Sequence, residues 1–413
     1  MAAKRATKIG ETVVGIDFGT TKICAMVGHV TESGLEIIGI GKEPSLGIRK
    51  GVVVNIPRTV ETTKKVIEEA SAMAGTEITS AFVGIAGGHI KGFNSSGIVA
   101  VKDHDVHEQD VERAIDAAKA VAIPLDREVI HVIPQEFLVN DEEGVKDPVG
   151  MSGVRLESRV HIVTGAVSSA QNLIKCANKA GLHVEDIVLE PLASAEAVLT
   201  RDERDLGVAL VDIGGGTTDI ALFVKGSVVH TGVIAMGGNH LTNDVAVGLR
   251  TSLHDAERLK LEYGCAMASV VTQEDKMEVP GVGGRSSKHI SRRVLSEILE
   301  PRVEEIFQLV HQEIVQSGFK HYLSAGMVLT GGSSLMPGMC ELAEFILELP
   351  VRRGVPHGLL GLVDKIRSPL FSTAAGLLLY GAKNRSHVRF KIRDEKIYSK
   401  IVTRMKSWIG EVF

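Results

Sequence analysis

Two short runs, each with an aspartate ahead of glycine, stand about half the chain apart: IDFGTTK from Ile16 to Lys22, and VDIGGGTTD from Val211 to Asp219. Each follows an apolar, β-rich stretch (Thr12 to Ile16, Val208 to Val211) and leads into another (Ile23 to Val30, Ile220 to Val229). That is the pattern of a strand, a tight turn and a returning strand. Glycine lets the backbone approach a ligand closely, and successive free N–H groups in such a turn form an anion nest. The nest candidates are Gly19 in the first run and Gly214, Gly215 and Gly216 in the second, with the hydroxyls of Thr20, Thr21, Thr217 and Thr218 as further donors. An aspartate heading each turn, Asp17 and Asp212, can meet a divalent cation through water, because Mg2+ keeps part of its hydration shell while bridging phosphate oxygens. One such turn is also an ordinary β-hairpin. Two of them, both with the aspartate, predict a pair of loops that clamp one polyphosphate with its metal.

A chain of 413 residues has room for two or more domains, and its 44% hydrophobic content with 44 glycines suits an α/β protein rich in turns. Aromatic residues make up only 4%, which argues against a base-stacking platform and a nucleic-acid partner. Cys24, Cys176, Cys265 and Cys340 are too widely spaced for a disulfide framework or a zinc site, so a reducing cytoplasm is expected. Met1 to Ile9 is basic and runs into glycine, so no secretory leader is expected, and no window is long and apolar enough for a membrane span. Nine Lys or Arg against two acids between Lys383 and Lys406 give a local +7, which leaves −12 for the remainder of a chain of net charge −5. An acidic body with a basic tail suggests an anionic partner for the tail.

Between the two runs, a helix is expected from Thr59 to Ala74 and a strand from Ala81 to Ala86. Gly87 to Val160 reads as an inserted module, with strands at Gly97–Val101, Val129–Val139 and Val154–Val163 and a helix at Glu108–Val121 whose apolar side holds Val111, Ile115 and Ala118. A helix near Ser169 to Ala180 follows, and then EPLASA from Glu190 opens a helix of small residues able to cross another helix closely. Asn243 to Glu313 is helical and charged, around a glycine-rich loop at Gly281–Gly284. An apolar strand, Gly326 to Leu329, then leads into TGGSSLMPG from Thr330, and a second small-residue helix runs from Ser372 to Gly381. Matching turns and matching helices imply a duplication around a cleft.

In this order the five segments (Asp17 turn, Glu190 helix, Asp212 turn, Gly331/Gly332 turn, final small-residue helix) resemble the signatures of the actin, sugar-kinase and chaperone ATPase superfamily. The resemblance implies an α/β, two-lobed actin-like ATPase fold, with ATP and Mg2+ as cofactors. It implies that Gly331, Gly332 and Ser333 lie against base and ribose, and that Glu257 and Lys260 contact the ribose from a helix; the same two residues also fit an exposed i,i+3 ion pair. Lys22 would neutralise phosphate charge. Glu190 fits either a carboxylate that orients the attacking water, as in the rod-shape filament proteins, or a plain helix N-terminal acid. With no strong base in the set, at most slow hydrolysis is expected, with ATP binding closing the cleft.

Within the superfamily the chain resembles the bacterial division protein FtsA family over nearly its whole length. HVIPQEF (His131 to Phe137) and PVGMSGVRL (Pro148 to Leu156) are similar to that family's inserted subdomain, and VGGR (Val282 to Arg285) and ILEPR (Ile298 to Arg302) to its partner-binding subdomain. The implied layout is a first lobe from residues 1–83, 161–206 and 365–382, an inserted α+β subdomain over 84–160, a second lobe from 207–242 and 315–364, and a partner-binding subdomain over 243–314. Implied partners are the acidic C-terminal peptide of FtsZ, met by Lys288 and Arg302, a second copy of the chain in a polymer, and later division proteins through residues 84–160. Alternatives on the same fold are a metabolic kinase, a pilus-assembly scaffold and a rod-shape filament protein.

After a polar, basic linker over 383–396, residues 397–413 separate cleanly when placed on a helix. Ile397, Ile401, Met405, Trp408, Ile409, Val412 and Phe413, with Tyr398 and Val402, fill one arc of roughly 160°, and the polar residues fill the other. Such a helix suits the surface of an anionic bilayer, each apolar side chain contributing roughly 1.5–3 kcal/mol and each nearby cation about 1 kcal/mol. The alternative is a terminal helix packed on the protein's own core. The implied location is peripheral, on the cytoplasmic side of the inner membrane at the division site.

Overall fold

The computed structural model describes residues 10–384. The helix expected over residues 397–413, and almost all of the linker over 383–396, lie outside them.

Two mixed sheets repeat one plan. In the six-stranded sheet, the Thr12–Phe18 strand pairs in parallel with Ser80–Ile85 on one side and antiparallel with Lys22–Thr31 on the other, which in turn pairs antiparallel with Gly34–Pro44. In the five-stranded sheet, Val208–Ile213 pairs in parallel with Met327–Thr330 and antiparallel with Thr218–Val224, which pairs antiparallel with Ser227–Ile234. Every residue of Val208–Ile213 is buried, as a strand covered on both faces requires. The duplication inferred from the two turns is therefore present in the strand order itself.

The single strand expected from Ile220 to Val229 is two. Lys225 and Gly226 both adopt the left-handed region, at φ 50° and 77°, which is the geometry of a two-residue hairpin. The strands Gly34–Pro44 and His183–Leu189 carry no clean apolar alternation. In the first, Gly39 and Gly41 interrupt the pattern for a packing reason: a Cβ on Gly41 would lie 2.0 Å from the carbonyl oxygen of Val66. The helix pressed there, Ile56–Ala74, starts where Asn55 accepts the N–H of Arg58 at 3.1 Å and ends at Gly75 in the left-handed region.

The inserted module is a four-stranded antiparallel sheet, Lys91–Ala100, Arg155–Ala166, Arg127–Val139 and Glu142–Val145, with the helix Glu108–Lys119 on one face. The expected strand Val129–Val139 is part of a longer one, and Gly97–Val101 and Val154–Val163 overlap longer strands that stop at Ala100 and start at Arg155. The module rests against the edge strand Ser227–Ile234 of the second sheet, where Gln135 donates to the Val228 carbonyl at 2.9 Å and His161 shares a 2.9 Å hydrogen bond with Thr231.

Between the two large sheets the helices Glu190–Val198 and Ser372–Asn384 cross at backbone contact. A Cβ on Gly376 would sit 1.8 Å from the Ala193 carbonyl oxygen, so only glycine allows this approach. Alanines of both helices join Val13 and Phe82 of the first sheet to Leu210 and Ala221 of the second in one buried core. That core sets the strand ends, and the turns they carry, opposite one another.

Candidate functional site

The register of the first hairpin pairs Asp17 with Cys24 and Phe18 with Ile23, which leaves Gly19 to Lys22 between them as the turn. The second pairs Asp212 with Asp219 and Ile213 with Thr218, so Gly214 to Thr217 turn there. The two tips touch. A Cβ on Gly215 would lie 2.2 Å from Cγ2 of Thr21, and one on Gly216 would lie 2.6 Å from Oγ1 of Thr20. Beneath them opens a cavity of about 500 Å3, large enough for a cofactor-sized ligand, whose wall includes both turns, Glu190, Lys22 and the Gly331–Ser333 loop.

Each aspartate is held from behind. Lys22 Nζ donates to Asp17 Oδ2 at 2.9 Å. Burial disfavours the Lys22 ammonium, but Asp17, Cys24 and Asp212 together outweigh it and raise Lys22 above the usual lysine range. Asp212 Oδ2 accepts from Ser194 at 2.7 Å, and Ser194 and Thr373 lie within 3.1 Å of each other. The two crossing helices therefore fix the second turn's aspartate as well as the core. Neither Ser194 nor Thr373 was identifiable from the sequence, since only the crossing brings them to Asp212.

Asp219 was also missed as a site residue, although it closes the VDIGGGTTD run. Its Oδ2 accepts from Thr217 at 2.9 Å, while its Oδ1 is buried with no partner. Burial, then the neighbouring Asp212, pushes Asp219 up to about 7, and burial pushes Asp212 up to about 6. Glu190 is raised well above the ordinary carboxylate range by burial and by Asp17, Asp219 and Asp212 in turn. Thr218, by contrast, does not line the cavity: its hydroxyl donates to the Met236 carbonyl at 2.9 Å. Alternation along a strand explains both outcomes, because Thr217 and Asp219 share one side and Thr218 takes the other.

Four acidic side chains, Asp17, Asp212, Asp219 and Glu190, thus line one cavity, with Lys22 offsetting part of their charge. No group of three or more His, Cys, Asp or Glu among the described residues is placed to ligate a metal directly. A cation there would be met through its water shell, and the unpartnered Asp219 Oδ1 is a buried acceptor suited to such a water.

On the second turn's side of the cavity, Gly331 is left-handed at φ 84°, and a Cβ there would lie 2.3 Å from Asp212 Oδ1. Ser333 donates to the Gly214 carbonyl at 3.1 Å, tying this loop to the second turn. Glu257 and Lys260 both line the cavity and also pair with each other at 2.7 Å, so the ion pair and the site position coexist. Lys260 is further held by the Gly238 carbonyl at 3.1 Å and Thr242 at 2.9 Å. Leu261, Met336 and Pro337 supply apolar wall.

The two partner-site cations lie apart from the cleft. Lys288 is exposed on a two-stranded ribbon, opposite Val279. Arg302 is on the helix Arg292–Gln316, its Nε 2.6 Å and its Nη2 3.2 Å from the Asp244 carboxylate, and it also pairs with Glu305. It is a committed side chain and not a free surface cation.

Two lobes of like topology closing on one cavity, with a hairpin turn from each, define an actin-like fold. Among solved structures, the PilM–PilN type IV pilus biogenesis complex superposes with a TM-score of 0.65 at 16% identity, over 90% of this chain and 98% of that one. MreB5 of Spiroplasma citri bound to ADP gives 0.57 at 14% identity, over 93% and 100%. At that identity these likenesses concern the fold alone. Sequence goes further: the model of cell division protein FtsA matches residues 209–376, and that of the SHS2 domain inserted in FtsA matches residues 87–164. The chain is 50% identical over 407 residues to the cell division protein FtsA of Pseudomonas aeruginosa, covering 97% of this chain and 98% of the relative. It is 40% identical over 413 residues to that of Escherichia coli K12, covering 97% and 98%. The chain belongs to the FtsA family of actin-like cell division proteins.

Proposed function

We propose that the chain binds Mg-ATP across the cleft, polymerises on the inner face of the cytoplasmic membrane, anchors FtsZ there and helps recruit later division proteins through residues 84–160. The observation that carries the nucleotide part is the contact of the two turn tips over a cavity whose wall also includes Gly331, Gly332 and Ser333, packed against the second turn. N–H groups around Gly19, Gly215 and Gly216 would cradle phosphate oxygens, that of Gly214 being taken by the Thr217 carbonyl at 2.9 Å, and Lys22 would offset their charge. Glu257 and Lys260 would meet the ribose, and the apolar wall with the Gly331 loop would meet the base. Asp17 and Asp212 would hold Mg2+ through water, and the ion would supply positive charge to offset that of the phosphates.

Glu190 is the candidate to orient an attacking water. Burial, with Asp17, Asp219 and Asp212, raises it above the ordinary carboxylate range; turnover is expected to be slow, with ATP chiefly a clamp that holds the lobes together. The basic, amphipathic C-terminal sequence would give the membrane attachment, and Lys288 with Arg302 would meet acidic FtsZ residues, Arg302 by exchanging Asp244 for the peptide. Electron microscopy on anionic lipid monolayers, with and without ATP and FtsZ, tests attachment, polymerisation and recruitment together. Bare monolayers in the presence of ATP contradict the proposal.

A further inference from the structure

The strand His183–Leu189 is an edge of the six-stranded sheet, paired only with Ser80–Ile85. At its end the chain turns sharply into the helix that begins with Glu190, and the turning residue, Leu189, is fully buried. An edge strand leaves outward N–H groups without a sheet partner, and a buried one must find another acceptor. For Leu189 the acceptor is Nε2 of His131, at 3.0 Å, from the strand Arg127–Val139 of the inserted module. The His131 ring is set against Tyr380 of the last helix, centroids 6.3 Å apart at 67°, and the Tyr380 hydroxyl donates to Asp186 at 3.4 Å. Burial pushes His131 down to about 4, so the imidazole is neutral and its Nε2 is free to accept.

Glu190 accepts no hydrogen bond of its own among the described residues, and Gly84 leaves its side chain room: a Cβ there would lie 3.0 Å from its Cγ. With nothing gripping the carboxyl, its direction is set by the backbone corner it leaves from. We propose that His131 is a positioning residue for Glu190, its Nε2 holding the Leu189 N–H and thereby fixing the corner from which the carboxyl projects into the cleft. This rests on the reading of Glu190 as the group that orients water. It also makes the inserted module a structural part of the nucleotide site, because one of its side chains holds the backbone N–H next to Glu190.

The test uses the full-length protein with His131→Phe, which keeps the ring against Tyr380 but removes the acceptor, and His131→Gln, which restores one. His131→Phe is expected to leave the affinity for a fluorescent ATP analogue within about two-fold, while single-turnover hydrolysis falls roughly ten-fold, on the scale of a displaced catalytic group. Amide exchange should quicken at Leu189 and Glu190 and stay unchanged in Val208–Ile213, and His131→Gln should recover both readouts. Wild-type exchange at Leu189 and Glu190 in His131→Phe overturns the proposal. Glu190→Gln with undiminished turnover overturns only the role given to Glu190, since the exchange result still decides whether His131 holds the corner. Should His131→Phe not fold, the side-chain 15N spectrum of the unaltered protein decides: Nε2 must be the unprotonated nitrogen, and a neutral Nε2–H tautomer refutes the inference.

Discussion

The hydroxyl of Ser194 donates to Asp212 at 2.7 Å, so the aspartate of the second turn is aimed by the same helix that begins with Glu190. The aspartate and the glutamate are thus fixed relative to each other by one rigid element. Asp212→Ala removes the group that the helix is holding and should abolish nucleotide binding while the far-UV spectrum and melting cooperativity are retained. Ser194→Ala removes one hydrogen bond to a carboxylate, a loss of about 1.5–3 kcal/mol if the bond is made only in the competent geometry. The Kd for ATP should rise by ten-fold or more. Titration of both variants checks this; unchanged affinity in Asp212→Ala would remove the clamp from the nucleotide reading.

How much of this was legible follows from where the information sits along the chain. Asp17 and Asp212 stand beside their own glycines, so their chemistry is local and readable. Ser194 and Thr373 are far apart in sequence and become partners of Asp212 only because Gly376 lets two helices touch at Ala193. That is a tertiary fact with no short-range pattern. Asp219 and Thr218 were within reach, because period-two alternation after the turn places one inside the cleft and the other outside. His131 reads in sequence as one polar residue in an apolar strand, and its partner, a backbone N–H, has no sequence signature at all.

Lys288 and Arg302 separate into two kinds of test. Arg302→Glu sets a carboxylate against Asp244, where the structure has a two-point ion pair, so any loss of FtsZ-peptide affinity is mixed with a local destabilisation. Lys288→Glu reverses an exposed charge and disturbs no ion pair. It should weaken the binding of the acidic FtsZ peptide several-fold, more at low salt than at high, with an unchanged Tm. Fluorescence anisotropy across a salt series measures it. Wild-type affinity at low salt would exclude Lys288 from the contact.

Attachment to lipid is predicted to reside in residues 397–413, where the sequence segregates apolar and basic residues. Among the described residues no helix is long and apolar enough to cross a membrane. Removing 397–413 should abolish sedimentation with anionic vesicles. Trp408→Glu should weaken it, since a charge replaces a large apolar side chain at the interface. A truncated protein that still sediments with lipid would place the attachment elsewhere in the chain.

The acidic lining of the cavity gives a pH dependence whose sign can be worked out. Asp219 and Asp212 are raised in the folded chain to about 7 and about 6, above their ordinary value of 3.8. A carboxyl that holds its proton more tightly when folded favours the folded state at low pH, and the advantage is lost as pH rises from about 4 through the folded value. The nucleotide-free protein should therefore melt at progressively lower temperature between pH 5 and 7.5. Asp219→Asn removes one ionising group yet keeps an oxygen for the Thr217 hydroxyl, so it should flatten that slope and raise Tm at pH 7.5 above the unaltered protein's. Added Mg2+ should stabilise the unaltered protein more than Asp219→Asn at that pH, because the variant has less negative charge to offset. Calorimetry across the range, with and without Mg2+, decides it: parallel curves for the two proteins would mean that Asp219 is already ionised and relieved in the folded chain.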